Sequence, residues 1–207
     1  LPPAPAHPNG QALWAIVHGQ CVPDKIGHDD PQPCAQVSIA DGVARGYVVL
    51  KDRRGASQYL LMPTVLVTGI EDPQLLSPES VDYFTAAWRA RHFVEQRLGR
   101  PLAREDVGIA VNSIYGRSQD LLHLHIDCLR ADVRDALRRR LIGIGYHWST
   151  RPLDLAGHGY RAIRIDGEDT VQADPFVSVS TGLNIKPTEM QAWTRVLVGE
   201  RFADGRP

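Results

Sequence analysis

Two histidines and an aspartate alternate with apolar residues near the middle of the chain, at residues 121–128. Side chains of a β-strand point alternately to its two faces, so His123, His125 and Asp127 should share one face with Leu121. The opposite, apolar face would hold Leu122, Leu124, Ile126 and Cys128. An imidazole can attack phosphorus and then depart, while a neighbouring histidine or backbone group fixes its tautomer. The pattern therefore predicts histidine-based phosphoryl or nucleotidyl transfer.

A polar connection, residues 112–120, precedes these histidines. Phosphoryl transfer depends on donors placed around the non-bridging oxygens. The candidate donors are Asn112, Ser113, Arg117, Ser118 and Gln119. Gly116 would let the backbone approach closely, and Tyr115 would stack on a base or cap the pocket. The alternative is that the polar side chains merely bond their own backbone, as in many turns.

The surrounding pattern predicts the elements that must hold these residues in place. Apolar and β-branched runs predict strands at residues 46–51, 58–62, 65–68, 107–111, 121–129, 159–165, 176–180 and 195–202. Helical spacing and terminal signals predict helices at residues 11–20, 77–99 and 131–141, with a loop at 22–42. The sum is an α+β fold, an antiparallel sheet with helices packed on it. The last strand would be an edge, which would allow pairing between subunits in an oligomer.

Composition limits the function classes. A chain of 207 residues with 43% apolar content fits one domain, which we assign to residues 11–207 after a disordered, proline-rich segment at 1–10. The 23 basic and 24 acidic residues leave a net charge of -1, which argues against a nucleic-acid partner. No run of about 20 apolar residues would span a bilayer.

Three cysteines leave two interpretations open. Cys21 and Cys34 lie in a segment rich in Pro, Gly and Asp and would form a disulfide in an oxidising compartment. Alternatively, all three are thiols of a cytosolic protein, with Cys128 buried as a small apolar residue. The chain begins at Leu1 without an initiator Met, which suggests a removed leader or anchor.

Residues 112–134 resemble the signature region of the CDP-diacylglycerol pyrophosphatases, a branch of the histidine-triad superfamily. The residues at 46–52 and 58–64 and the pair Cys21 and Cys34 extend the similarity over most of residues 15–176. The superfamily motif is three histidines separated by single apolar residues, and its middle histidine is the nucleophile. The resemblance thus implies a HIT-like fold and a metal-independent hydrolase without cofactors.

Residue by residue, the motif falls on Leu121, His123 and His125. The resemblance implies that His123 attacks the CMP-side phosphorus of CDP-diacylglycerol, that phosphatidate departs, and that water releases CMP. It also implies that Asn112, Ser118, Gln119 and His125 surround the phosphate and that Lys51 lies near the nucleotide pocket. Leu121 replaces the first histidine, and the resemblance implies a longer C-terminal region than this chain has. A removed leader and a Cys21–Cys34 bridge would together predict a location in the bacterial cell envelope, at the inner membrane facing the periplasm.

Two functions from other classes remain open. His123 and His125 could instead ligate zinc or iron from one strand face, although no additional ligand motif is present. The second alternative is a binding module, which would keep the pocket but would not convert its ligand. Cys128 is a poor candidate nucleophile because it falls on the apolar face.

Overall fold

The computed structural model describes residues 5–207, so residues 1–4 of the segment predicted to be disordered lie outside the described residues. Residues 5–10 differ from that prediction. His7 Nδ1 lies 2.8 Å from Asp120 Oδ1, and the Gly10 carbonyl accepts a hydrogen bond from the Asp120 amide at 2.8 Å. A Cβ at position 10 would lie 2.3 Å from Asp120 Oδ2, so a larger residue there would require the Asp120 side chain to move. These polar contacts attach the N-terminal segment to the loop before the histidines.

An antiparallel sheet forms the centre of the molecule. The strands are β1 Gln36–Ser38, β2 Tyr47–Lys51, β3 Tyr59–Pro63, β4 Val107–Val111, β5 Leu124–Cys128, β6 Leu153–Leu155, β7 His158–Tyr160 and β8 Arg195–Val198. Six of them pair in the order β1-β2-β3-β5-β4-β8, and β6 and β7 form a separate hairpin. The predicted hairpin of β2 and β3 is confirmed, and β8 is an edge strand as expected.

Helices cover both faces of this sheet. They are α1 Ala12–Ile16, a π-helical turn Val17–Cys21, α2 Val22–His28, α3 Tyr83–Arg89, α4 Arg91–Leu98, α5 Ala131–Arg138 and α6 Pro175–Gly182. No helix in residues 5–207 has the length and apolar content needed to cross a bilayer. The architecture is therefore mixed, with an antiparallel sheet between helical layers.

The two faces have separate cores. One face packs against α3 and α4 in a large cluster that includes Ile109, Leu124, Ile126 and Phe84. On the other face, the helical segment 12–28 packs over β1 to β3. A Cys21–Cys34 disulfide closes this second layer, which decides between the two cysteine interpretations.

Several predicted elements differ from the structure. Residues 22–42 contain α2 and β1 rather than a loop, residues 65–68 form no strand, and the strand predicted at 121–129 begins only at Leu124. The helix predicted at 77–99 is two helices joined at Ala90, and it starts at Tyr83 because the Asp82 carboxylate accepts from the Thr85 amide at 2.9 Å.

Differences are larger near the C-terminus. Residues 176–180 were predicted as a strand but belong to α6, because Asp174 accepts from the Phe176 amide and Pro175 occupies the first helical position. The strand predicted at 159–165 is only the three-residue β7, and the one at 195–202 ends at Val198.

Candidate active site

The two residues before His123 are buried in the two cores, one on each face of the sheet, and so hold the histidine segment in place. Leu121 is fully buried under the N-terminal helices, and Leu122, 1% exposed, packs in the opposite cluster. The Leu122 amide donates to the Val67 carbonyl at 2.7 Å. Leu124 and Ile126 lie on the apolar face as predicted, whereas Cys128 is an exposed thiol at the strand end and not a buried residue.

His123 is buried, with 7% of its surface exposed. Its Nδ1 lies 2.7 Å from the Leu121 carbonyl oxygen, which can only accept, so Nδ1 carries a proton. Burial lowers the pKa of His123 below its usual 6.5, and the positive charge of Arg117 lowers it further, against the opposing effects of the Leu121 hydrogen bond and of Asp52. At neutral pH the ring is therefore uncharged, with its lone pair on Nε2.

His125 lies beside His123, with the two ring centroids 5.0 Å apart and the rings at 72°. Its Nε2 is 3.4 Å from Asn112 Nδ2, so the predicted loop donor meets the second histidine. Burial, and then the proximity of His123, lower the pKa of His125 to about 4. Both imidazoles are consequently neutral near pH 7.

Arg117 is not a free cation for a phosphate. Its guanidinium binds both carboxylate oxygens of Glu71 at 2.7 Å, and its Nε lies 3.6 Å from Asp120. Gly69 makes this approach feasible, because a Cβ there would lie 1.8 Å from Arg117 Nη1. Sequence reasoning missed Glu71, which is 46 residues away along the chain.

The rest of the loop divides into engaged and exposed groups. The Gln119 side chain accepts from the Leu13 amide at 3.0 Å and donates to the Asn9 carbonyl at 2.9 Å, so it attaches the N-terminal segment. Ser118 is exposed, and Tyr115 is 39% exposed. Gly116 packs next to Asn112, where an added Cβ would have ordinary contacts of 3.6 Å.

The backbone of this loop is held from the C-terminal side. The Ser113 amide donates to Thr194 Oγ1 at 3.0 Å, and the Ile114 amide donates to the Gln191 carbonyl at 2.8 Å. Thr194 immediately precedes β8. No local pattern predicts Thr194 as a partner of this loop, because the contact depends on the pairing of β8 with β4.

The sheet register separates Lys51 from the histidines. Lys51 pairs with Tyr59, which pairs with Ile126, so these residues lie on the face opposite His125. Its ammonium donates to the carbonyls of Asp52 at 2.6 Å and Gly55 at 3.1 Å. Lys51 therefore starts from the sheet face opposite His125, and its contact with a nucleotide stays a prediction.

Two carboxylates near the β2–β3 turn, Asp52 and Asp127, raise the pKa of His125 against the larger effect of burial. Asp52 opposes the lowering of the pKa of both His123 and His125. Asp127 follows His125 on the strand and accepts a hydrogen bond from Ser57 Oγ at 2.6 Å. Asp52 was absent from the predicted site because it follows a strand distant in sequence.

Two wider features complete the site. A cavity of about 860 Å³ extends along β8 and is lined at one end by Asn112 and Gly116, next to the histidines. Within residues 5–207, no group of three or more His, Cys, Asp or Glu side chains is arranged to hold a metal ion. The metal-ligand alternative for His123 and His125 thus gains no third ligand from these residues.

The comparisons with known proteins identify the family in agreement with this site. The family model described as CDP-diacylglycerol pyrophosphatase matches residues 8–206, so the chain belongs to that family. A curated relative, the CDP-diacylglycerol pyrophosphatase of Yersinia pestis, is 45% identical over 168 residues, which cover 81% of this chain. The aligned region is 64% of the relative's length.

Proposed function

We propose that this chain hydrolyses the phosphoanhydride of CDP-diacylglycerol to CMP and phosphatidate through a nucleotidyl intermediate on His123. We also propose a HIT-like domain of the histidine-triad superfamily, with Leu121 at the position of the first histidine. Family membership and the paired imidazoles support both proposals.

The observation that carries the proposal is the contact of His123 Nδ1 with the Leu121 carbonyl at 2.7 Å. It fixes the tautomer whose Nε2 lone pair is available for attack, and the lowered pKa keeps that lone pair unprotonated at neutral pH. Because a backbone carbonyl fixes the tautomer, a leucine at position 121 is compatible with nucleophilic attack by His123.

The reaction then proceeds by two displacements. His123 Nε2 forms a bond to the CMP-side phosphorus, and the bond from that phosphorus to the bridging oxygen breaks, so that phosphatidate leaves with the electron pair. Water next attacks the same phosphorus and loses a proton, the P–N bond breaks, and the electron pair returns to Nε2. CMP is released and the histidine is regenerated.

The 112–119 loop supplies the surroundings of the phosphate. Asn112 contacts His125 directly, so a phosphate bound beside His123 would meet a neutral amide and a neutral imidazole. Ser118 is exposed and available as a further hydroxyl donor. Because Glu71 neutralises Arg117, the proposed stabilisation comes mainly from neutral donors.

The proposed location is the bacterial cell envelope, at the inner membrane facing the periplasm. The Cys21–Cys34 disulfide supports an oxidising compartment. The lipid substrate would bring the protein to the membrane surface, and the edge strand β8 offers backbone groups for pairing with a second copy.

The test measures CMP release from CDP-diacylglycerol, with and without a chelator, for the wild type, His123→Ala and the control His147→Ala. Chelator-resistant release that is lost only in His123→Ala, together with acid-labile ³²P label on the wild type after reaction with α-³²P substrate, is expected. Chelator-sensitive release would instead favour the metal alternative, and binding of substrate without release would favour the binding module.

A further inference from the structure

The cavity along β8 is enclosed by four elements that lie beyond the histidine site. Val198 of β8, Leu137 of α5, Leu155 of the β6–β7 hairpin and Val179 of α6 all line it. Its volume of about 860 Å³ lies in the range of pockets that hold a whole ligand. The cavity is therefore large enough for much more than a phosphate.

The lining is mostly apolar and incompletely covered, although charged side chains such as Arg130, Arg161 and Glu200 also line it. Leu141, Ile144, Ile163 and Leu183 line the cavity but are only half-buried, and Val196 is 42% exposed. Apolar surface left in contact with water favours binding of an apolar ligand, since transfer out of water drives that association.

The cavity adjoins the proposed site of phosphate chemistry at Asn112. Asn112 lines its end and lies 3.4 Å from His125 Nε2. A substrate whose anhydride lies at His123 can thus extend its leaving-group side past Asn112 and along β8.

The outer edge of the cavity combines exposed cations with exposed apolar side chains. Arg139 and Arg140 are exposed and make no ion pair with any residue from 5 to 207. Ile142 is fully exposed, and Tyr146 is 51% exposed. Arginines beside protruding apolar residues suit the headgroup region of an anionic bilayer.

We propose that this cavity binds the acyl chains of the lipid substrate, an inference that rests on the proposed function. Residues 139–146 would then dock on the anionic bilayer that supplies this lipid. The polar half of the substrate reacts at His123, while the chains pass from the bilayer into the cavity next to α5.

Ile163→Trp tests the cavity by filling it, and Ile26→Trp is the matched control at a 63% exposed position on α2. Both variants are assayed on CDP-dioleoylglycerol in detergent micelles and on CDP-glycerol, which has no acyl chains. Ile163→Trp should lower the ratio of kcat/KM for the lipid to that for CDP-glycerol about 10-fold, and Ile26→Trp should leave this ratio near the wild-type value. An unchanged ratio in a folded Ile163→Trp protein would overturn the cavity proposal.

Binding provides a readout that does not need turnover. Wild type should bind a phosphatidate with a fluorescent parinaroyl chain, and Ile163→Trp should lose this binding while keeping its circular dichroism and melting temperature. If the wild type binds the probe but cleaves neither CDP ester, the proposed hydrolysis fails and the acyl site stands. If it cleaves the lipid but the probe binds equally to both proteins, the acyl site fails and the hydrolysis stands.

Sedimentation with vesicles tests the docking edge. The double variant Arg139→Ser and Arg140→Ser should bind vesicles of phosphatidylglycerol and phosphatidylcholine roughly 30-fold more weakly than wild type, at about one kcal/mol for each arginine. Ile142→Asp should also weaken binding, and Ile26→Asp should not. Equal binding of wild type and both edge variants would overturn docking through residues 139–146.

Discussion

The two halves of the sheet face that carries His125 are covered in different ways. Over β1 to β3, the helical segment 12–28 buries a cluster whose members include Val17, Cys21 and Met62, all fully buried, and a disulfide closes it. Over β4 and β8, α5 and the β6–β7 hairpin bury only Leu137, Leu153 and Leu155 and leave a large cavity.

His123, the proposed nucleophile, lies at the boundary between these halves. Leu121, whose carbonyl holds His123, belongs to the densely packed N-terminal half. Asn112, which contacts His125, lines the cavity of the C-terminal half. Dense packing on one side fixes the orientation of His123, and on the other side the cavity leaves room for the variable part of the proposed substrate.

The largest expected effect is the loss of the nucleophile on the packed side. His123→Ala should lower kcat by roughly 10³-fold or more, because the bond-forming atom is removed while the fold is kept. Steady-state CMP release measures this, with His147→Ala as the matched control. A His123→Ala protein that is folded and retains wild-type turnover would contradict the assignment.

Matched leucine deletions test the packing difference directly. Leu60→Ala removes a side chain that is 4% exposed in the N-terminal cluster, and Leu155→Ala removes one that is 9% exposed beside the cavity. We expect destabilisation of about 4 kcal/mol and about 2 kcal/mol respectively, at the two ends of the range for leucine deletions. Urea unfolding measures both, and equal losses would show that the two halves are equally packed.

Removal of the disulfide should weaken only the N-terminal half. The double variant Cys21→Ser and Cys34→Ser should lose about 2–4 kcal/mol of unfolding free energy, because the unfolded chain gains freedom. Cys128→Ser is the control and should change stability little, since that thiol is exposed. Urea unfolding measures this loss. A double variant with the wild-type unfolding midpoint would show that the helical segment 12–28 is stable without the disulfide.

The smallest effect concerns pH. In the proposed mechanism His123 attacks as the neutral ring, and burial lowers its pKa below 6.5, so the acidic decline in kcat/KM should lie below pH 6.5. Between pH 8 and pH 6.5, kcat/KM should decrease by less than about two-fold. Asp52 raises this pKa, so Asp52→Asn should move the decline to still lower pH. A decline centred above pH 6.5 would contradict the buried, neutral nucleophile.

Local pattern explains which features could be predicted from the sequence. The period-2 alternation at 122–126 correctly placed Leu122, Leu124 and Ile126 against the core, and the β2–β3 hairpin followed from two β-rich runs around a polar turn. The strand predicted at 176–180 from its β-branched residues was wrong. The helix cap at Asp174 and the proline after it favour a helix more strongly than these residues favour a strand.

Features that depend on distant pairing could not be predicted in this way. The Arg117–Glu71 pair joins residues 46 apart, and the face of Lys51 follows from the strand register. The cavity depends on how α5, α6 and the β6–β7 hairpin meet β8, and no local pattern encodes that arrangement. Local pattern predicted that His123 and His125 lie side by side, but it did not predict the residues that surround them.

The Cys128 thiol has a consequence for the folded protein under oxidising conditions. Disulfide exchange requires the thiolate, and partial loss of solvent together with the Asp127 charge raises the pKa of Cys128 above its usual value. Cys21 and Cys34 are both 0% exposed, so their bond is also shielded from attack. In the folded state, Cys128 thus has a low tendency to exchange with the native disulfide.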